Sequence, residues 1–247
     1  MEGREGMSLF PGVGVIANVA GIVAGGCAGL AFGSFLSERL QRTLTAACAV
    51  TVMFLGLGGA LSEALALGAD GRLVFSGSGM LLAAMIGGAL IGEVINLEDR
   101  MEQFGRFLRR RTRSQGDPRF VEGFVTASLT VCIGAMAVIG SINDRLLADP
   151  TVLFAKTALD TVIIMVMTAS LGKGCVFSAL SVGLFQGSIF FAAGFFAPLM
   201  TPAALDALNY VGSLLIFCVG TNLLGLTRIR VANFLPSLVV AVAWALA

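Results

Sequence analysis

The chain contains no histidine, and its five cysteines (Cys27, Cys48, Cys132, Cys175 and Cys218) show no CxxC spacing. The lack of histidine argues against the usual zinc or haem site, and the scattered cysteines suggest no disulfide framework. No cofactor is expected, and the cysteines read as small residues filling helix contacts. Charge is scarce too: Asp, Glu, Lys and Arg make up 13% of the residues, where soluble domains carry about 25%. With no metal-ligand cluster, no Ser–Lys pair in a catalytic context and no phosphate-cradling loop, an enzyme is not expected.

What fills the chain instead is apolar. Hydrophobic residues reach 57% before 32 glycines are counted, whereas soluble domains reach about 45–50% with glycine included. Apolar segments of roughly 20 residues recur, the length a hydrocarbon core about 30 Å thick demands. The expectation is an all-α integral membrane protein, one transmembrane domain over 1–247 built as a polytopic helical bundle of about eight (seven to eight) transmembrane helices. The spans run over about 12–35, 44–68, 76–96, 120–142, 152–171, 175–197, 208–226 and 231–246. The last is short and carries Pro236, so it reads as tilted, re-entrant or incompletely spanning. Glu2, Arg4 and Glu5 do not make the basic leader of a signal peptide.

Lys and Arg orient the bundle. Segment 97–119, "LEDRMEQFGRFLRRRTRSQGDPR", holds seven of the sixteen basic residues, including Arg106, Arg109, Arg110, Arg111 and Arg113, and is expected in the cytoplasm. Alternating outward from it puts twelve basic residues inside and leaves Arg4, Arg72 and Arg145 outside, with both termini outside. Met101, Phe104, Phe107 and Leu108 give the segment an apolar face, so it reads as a topology signal or as a surface helix touching anionic lipid head groups. Nucleic acid is not an expected partner; lipid is, and a homo-oligomer is compatible with the sequence.

Glycine recurs with a period. Ala17, Gly21, Gly25, Gly29 and Gly33 fall every four residues, a nearly side-chain-free helix face that a second helix can approach closely. Ala84, Gly88 and Gly92, and Ala179, Gly183 and Gly187, repeat the pattern. Tight packing is one reading of these faces and the lining of a solute path is the other. Setting "LTAACAVTVMFLGLG", from Leu44, against "LNYVGSLLIFCVGTN", from Leu208, aligns Gly56 with Gly220 in spans of opposite direction, which permits inverted internal repeats.

An ionisable group inside a span costs about 2.5–3.5 kcal/mol on insertion scales and is a functional candidate by default. Lys156 and Asp160 are four residues apart on one helix face and can pair. They read either as a buried ion pair fixing helix register or as groups of a conduction path. Lys156 is expected to snorkel to the outer interface, while Asp160 lies about 10 Å deep. Glu93 sits near the inner end of its span. Asn18 and Asn222, in glycine-rich segments, offer amide oxygens suited to a hard cation or to bridging helices; Gln186, Asn209 and Asn233 add further amides. Convergence of Asp160, Glu93, Asn18 and Asn222 on one cavity is what transport requires.

"PTVLFAKTALD", "LIGEVINLEDRME", "GFVTASLTVCIGAMAVIGSI" and "NLLGLTRIRVANFLPSLVVA" resemble the YqgA/YdfK-like family of bacterial inner-membrane proteins over nearly the whole chain. The resemblance implies a polytopic protein of the bacterial cytoplasmic membrane, from a family described as candidate sodium channels or pumps. Members usually carry Gly-Asp-Pro before the lysine and aspartate; this chain reads Ala148-Asp149-Pro150, which is expected to relax the turn. The functional expectation is a transporter or channel for a small cation, Na⁺ or H⁺ linked, or for a small solute. The alternative is a sensor, scaffold or assembly factor acting through the Arg-rich segment.

Overall fold

The computed structural model describes residues 10–33, 37–67, 72–133 and 135–247. The first helix, α1 (Val13–Gly33), is followed by α2 (Glu38–Ala64), a two-stranded antiparallel hairpin of β1 (Leu65–Leu67) and β2 (Leu73–Phe75), α3 (Ser78–Ile95) and α4 (Leu97–Arg111). Then come α5 (Phe120–Cys132), α6 (Ala135–Leu146), α7 (Thr151–Leu171), a 3₁₀ turn (Lys173–Phe177) and α8 (Ser178–Phe191). The chain ends with α9 (Ala193–Phe196), α10 (Pro202–Leu223), a 3₁₀ turn (Val231–Phe234) and α11 (Pro236–Leu246). Helix starts follow local chemistry: Thr201 caps α10 by accepting the Ala204 N–H at 3.2 Å, with Pro202 behind it.

The protein is an all-α polytopic membrane protein. Among the described residues six helices are long and apolar enough to cross a membrane, and the pair α5–α6, bent by 62° at its break, is a broken span that would make a seventh or a re-entrant loop. The eighth expected span, 231–246, is a short apolar helix. Span 120–142 was expected to be continuous and is broken instead. Two other boundaries move: α2 begins six residues before the expected 44 and α10 six before the expected 208, because capping residues at Ser37 and Thr201 start each helix in its polar approach. Arg4 and the expected span ends at 35 and 68 lie outside the described residues.

Glycine sets the closest packing. α1 and α7 run parallel, and a Cβ added at Gly21 would fall 2.6 Å from the side chains of Thr157 and Thr161. At Gly25 it would meet the Thr161 backbone, at Gly29 Met165 and Thr168, and at Gly33 Ala169. Gly88 and Gly92 admit the backbone of Ser237 and Asn233 in the same way. The pattern at Gly183 and Gly187 does not behave so: among the described residues Gly183 meets only Val19, at 3.4 Å, and Gly187 meets nothing within 4 Å. Four-residue spacing creates a smooth face; only a partner laid against it makes a contact.

α2 and α10 cross antiparallel with a local two-fold. A Cβ at Gly56 would meet the Phe217 nitrogen and lie 2.7 Å from the Ser213 carbonyl oxygen. At Gly220 it would lie 2.8 Å from the Met53 nitrogen and 3.0 Å from the Ala49 carbonyl oxygen. Met53 and Ala49 are the residues that align with Phe217 and Ser213 when Gly56 is set against Gly220. The next helices in each half, α3 and α11, also cross antiparallel, Gly88 at Ser237 and Gly92 at Asn233. This reciprocity is the geometry an inverted repeat produces.

Candidate functional site

α7 buries Leu153, Lys156, Asp160, Ile164, Met167 and Leu171, steps of three and four that form one stripe. The two charges therefore sit on the apolar seam of the helix. Lys156 Nζ lies 2.9 Å from Asp160 Oδ1 and 2.8 Å from Oδ2, and the residues are 7% and 3% exposed. The expected snorkelling of Lys156 does not occur, because its carboxylate partner lies one turn deeper and draws the ammonium inward.

α1 completes this centre. Its glycine face brings it against α7, and Asn18, about one turn before Gly21, is wholly buried beside the Asp160 carboxylate. Neither the amide nitrogen nor the amide oxygen of Asn18 closes a well-formed hydrogen bond, and both oxygens of Asp160 are engaged by the Lys156 ammonium. Thr157 and Thr161, on the side of α7 that meets the glycines, donate to the carbonyls of Leu153 and Thr157 at 2.7 and 2.6 Å and so need nothing from α1.

α5, which ends at Cys132, and α6 both pack on α7, so the break between them lies on the same side of the bundle as the pair. Gln186 belongs to the same level. α8 runs antiparallel to α1, with Phe190 at Gly12 and Val19 at Gly183, and its Ser181 hydroxyl lies 2.9 Å from that of Ser128 on α5. Extending both registers by one to two turns sets Gln186 opposite the start of α1 and the α5–α6 break. It is buried with both amide atoms unpartnered. Sequence reasoning had noticed this residue only as one amide among several.

Asp144 was missed. It is fully buried and accepts the backbone N–H groups of Gly12, Gly14 and Val15 at 3.1, 3.0 and 3.2 Å. A carboxylate from α6 thus caps α1, where the positive end of the helix dipole favours it. The signal was legible: "FPGVGV" opens an apolar helix with no Ser, Thr, Asp or Asn of its own to cap it.

Glu93 and Asn222 stand elsewhere, at the end of the bundle that carries α4. Arg230 reaches Glu93 at 3.1 Å and Asp99 and Asn96 at 2.7 Å each. Asn233 donates to Glu93, and its amide oxygen accepts the Glu98 N–H at 2.8 Å. Asn222 clasps the loop that presents Arg230, donating to the Ile229 carbonyl at 2.6 Å and accepting the Ile229 N–H at 2.9 Å. Burial pushes the Glu98 carboxyl above the usual carboxylate range, partly offset by its bond from the Ala232 N–H. The expected convergence of four residues on one cavity is therefore replaced by two separate centres.

α4 docks through Gly105 and Leu108, with Phe104 edge-on to Phe124 at 5.8 Å, and leaves Arg106, Arg110 and Arg111 exposed on its other side. Arg113 is exposed just beyond it, Arg106 pairs with Glu102 at 2.8 Å, and Arg109 turns back to the Gln115 carbonyl at 2.6 Å. Polar hollows of about 600 and 520 Å³ open at this same end and share Gln41 and Arg119. An apolar cleft of about 510 Å³ reaches Cys132 between Val138, Phe185, Leu208 and Leu238. Lys156, Asp160 and Asn18 line none of these. No cluster of three or more His, Cys, Asp or Glu that could hold a metal occurs among the described residues.

Ala148 has φ 51°, in the left-handed region that favours glycine. The alanine at this Ala-for-Gly position thus takes a backbone conformation that glycine would adopt more easily, and Asp149 beyond it accepts the Thr151 N–H at 3.0 Å at the start of α7.

Residues 13–246 match the family described as "Protein of unknown function (DUF554)". The chain is 28% identical over 227 residues to the "Uncharacterized membrane protein YdfK" of Bacillus subtilis (strain 168), covering 92% of this chain and 93% of that one. It is 26% identical over 236 residues to the "Uncharacterized protein YqgA" of Escherichia coli (strain K12), covering 93% and 94%. No solved structure matches the chain. The four stretches that carried the resemblance meet in pairs: "PTVLFAKTALD" lies beside the break in "GFVTASLTVCIGAMAVIGSI", and "LIGEVINLEDRME" is joined to "NLLGLTRIRVANFLPSLVVA" through Glu93, Asp99, Arg230 and Asn233.

Proposed function

The chain belongs to the DUF554 family, and from that premise we propose that it is a carrier for a small monovalent cation in the bacterial cytoplasmic membrane. One observation carries the reading: a buried carboxylate, paired with Lys156, stands beside the buried Asn18 amide and near the sharp bend between two apolar helices. Broken helices and inverted repeats recur where transporters hold ions near the midplane, and a buried carboxylate with a neutral amide oxygen suits a hard cation. A carrier fits better than an open channel because the pair is enclosed on all sides. Movement at the α5–α6 break would open it.

On this reading segment 97–119 faces the cytoplasm and both termini face out, following the Lys and Arg bias; a thiol placed at Ser114 in a cysteine-free background stays unlabelled in sealed cells. Flux of Na⁺, K⁺ and Li⁺ into proteoliposomes tests the activity. Asp160→Asn keeps shape and an oxygen but removes the charge, so it should stay folded and lose flux. Wild-type flux in a folded Asp160→Asn protein would sink the proposal.

A second reading has its own support. Glu93 and Asn222 are satisfied far from Asp160, and α4 presents exposed arginines from a docked helix, as a contact surface for a membrane sensor or scaffold would. It predicts that replacing Arg106, Arg110 and Arg111 abolishes activity in cells while flux, if measured, is unchanged.

A further inference from the structure

The two polar hollows of about 600 and 520 Å³ at the end of the bundle that carries α4 share Gln41 and Arg119, whose side chains meet at 3.4 Å. We propose that together they bind the phosphate head group of an anionic phospholipid. The site does not involve Asp160 and is independent of the cation reading.

The lining is cationic. Arg42 and Arg119 face the first hollow with Glu122, and Arg113, Arg119 and Lys173 face the second with Asp117. Four positive side chains therefore stand against two carboxylates, and Asp117 is already engaged. Its oxygens accept the backbone N–H groups of Arg119 at 3.1 Å and of Lys173 at 3.3 Å, which ties the loop before α5 to the turn after α7. Among the described residues Arg113, Arg119 and Lys173 pair with no carboxylate. A guanidinium with N–H groups to spare matches the oxygens of a phosphate. A buried hydroxyl points to the same ligand. Thr168 lines the second hollow at 2% exposure, and its Oγ faces the Cys175 thiol without closing a well-formed hydrogen bond. Thr157 and Thr161 of the same helix donate to carbonyls one turn back; Thr168 does not, and a phosphate oxygen in the hollow would give it an acceptor.

The walls favour a lipid over a free anion. Ala46, Leu171, Leu223 and Leu224 line the first hollow beside its arginines, and Leu30 and Ala169 line the second. Four long helices terminate around them: α1 ends at Gly33, α2 begins at Glu38, α7 ends at Leu171 and α10 at Leu223. The hollows therefore sit where spans give way to water, the level that head groups occupy. A free phosphate would leave the leucines facing water. A phospholipid covers them with the upper part of its acyl chains while its phosphate meets the arginines, and basic pockets between spans hold acidic head groups in this way. Arg110 and Arg111, exposed on α4, line neither hollow, so they separate a built site from general attraction between a basic surface and an acidic lipid.

The test titrates the purified full chain, in a neutral detergent, with phosphatidylglycerol, phosphatidylcholine or inorganic phosphate, and reads the thermal midpoint and the lipid retained in native mass spectra. Phosphatidylglycerol should raise the midpoint and stay bound; phosphatidylcholine and phosphate should do neither. Arg119→Gln and Lys173→Gln should each raise the half-saturating phosphatidylglycerol concentration about tenfold, the loss expected of one charge-assisted hydrogen bond. Thr168→Val keeps the shape, removes the hydroxyl and should raise it several-fold. Arg110→Gln combined with Arg111→Gln should leave it nearly unchanged. If Arg119→Gln does not fold, the exposed Lys173 and the wild-type comparison decide. Equal responses to the two lipids, no loss in Lys173→Gln, or a loss in the α4 variant as large as that in Arg119→Gln would overturn the proposal. A response to inorganic phosphate equal to that to phosphatidylglycerol would show a site for free anions and overturn the assignment to lipid.

Discussion

A single methyl group at Gly25 should separate two helices. A Cβ there would lie 3.0 Å from the carbonyl carbon of Thr161 and 3.1 Å from its Cα, and closer still to its oxygen. Ordinary contact begins at about 3.5–4.0 Å, and the obstacle is backbone in the middle of α7, which cannot rotate away as a side chain would. The helices must part by about 0.5–1 Å, a gap that forfeits a quarter to a half of the attraction at each contact along the seam. Overpacking of this kind costs about 1–3 kcal/mol, and the better helix propensity of alanine returns about 0.5–1 of it. Gly187→Ala is the internal control: it is also a mid-helix glycine, but nothing lies within 4 Å of its Cβ position, so only the propensity gain remains. Thermal midpoints of both purified variants in detergent should therefore move in opposite directions. Equal midpoints would refute the argument, because the α1–α7 seam would then be looser than its geometry requires.

Four other outcomes follow from the same packing. Lys156→Met combined with Asp160→Leu should assemble with near wild-type thermal stability, while either change alone strands a buried charge and costs about 3–5 kcal/mol; equal loss in single and double variants would show that the pair is not energetically coupled. Asp144→Ala removes the cap from Gly12, Gly14 and Val15 and should cost about 1–3 kcal/mol, read as a lower midpoint that Asp144→Asn partly restores. Ala148→Gly should relieve a left-handed alanine and stabilise by about 1 kcal/mol, whereas a loss would mean the alanine methyl is making a needed contact. Because Glu98 has its carboxyl raised in the folded state, the stability it contributes is present below its unfolded value and lost as pH rises through the folded one. Glu98→Gln should flatten that slope in midpoints measured from about pH 4 to 7.

Several features of this protein are local, and the sequence by itself determined them. A hydrocarbon core demands long apolar helices whatever their neighbours, so the spans were readable from length and composition. Lys156 and Asp160 pair because four residues on a helix is one turn, and Gly21, Gly25 and Gly29 share a face for the same reason. Tertiary structure alone decided what those faces meet. Gly25 is tight and Gly187 is open although both belong to four-residue repeats, because α7 lies against one and nothing lies against the other. Asp144 caps a helix 130 residues away, and Arg230, 137 residues from Glu93, draws that carboxylate away from the centre that Asp160 occupies. Periodicity states which side of a helix is smooth, apolar or charged; which other side it touches depends on how the chain returns across the bundle, and that return brought Asn18 to Asp160 while leaving Glu93 and Asn222 at the end of the bundle that carries α4.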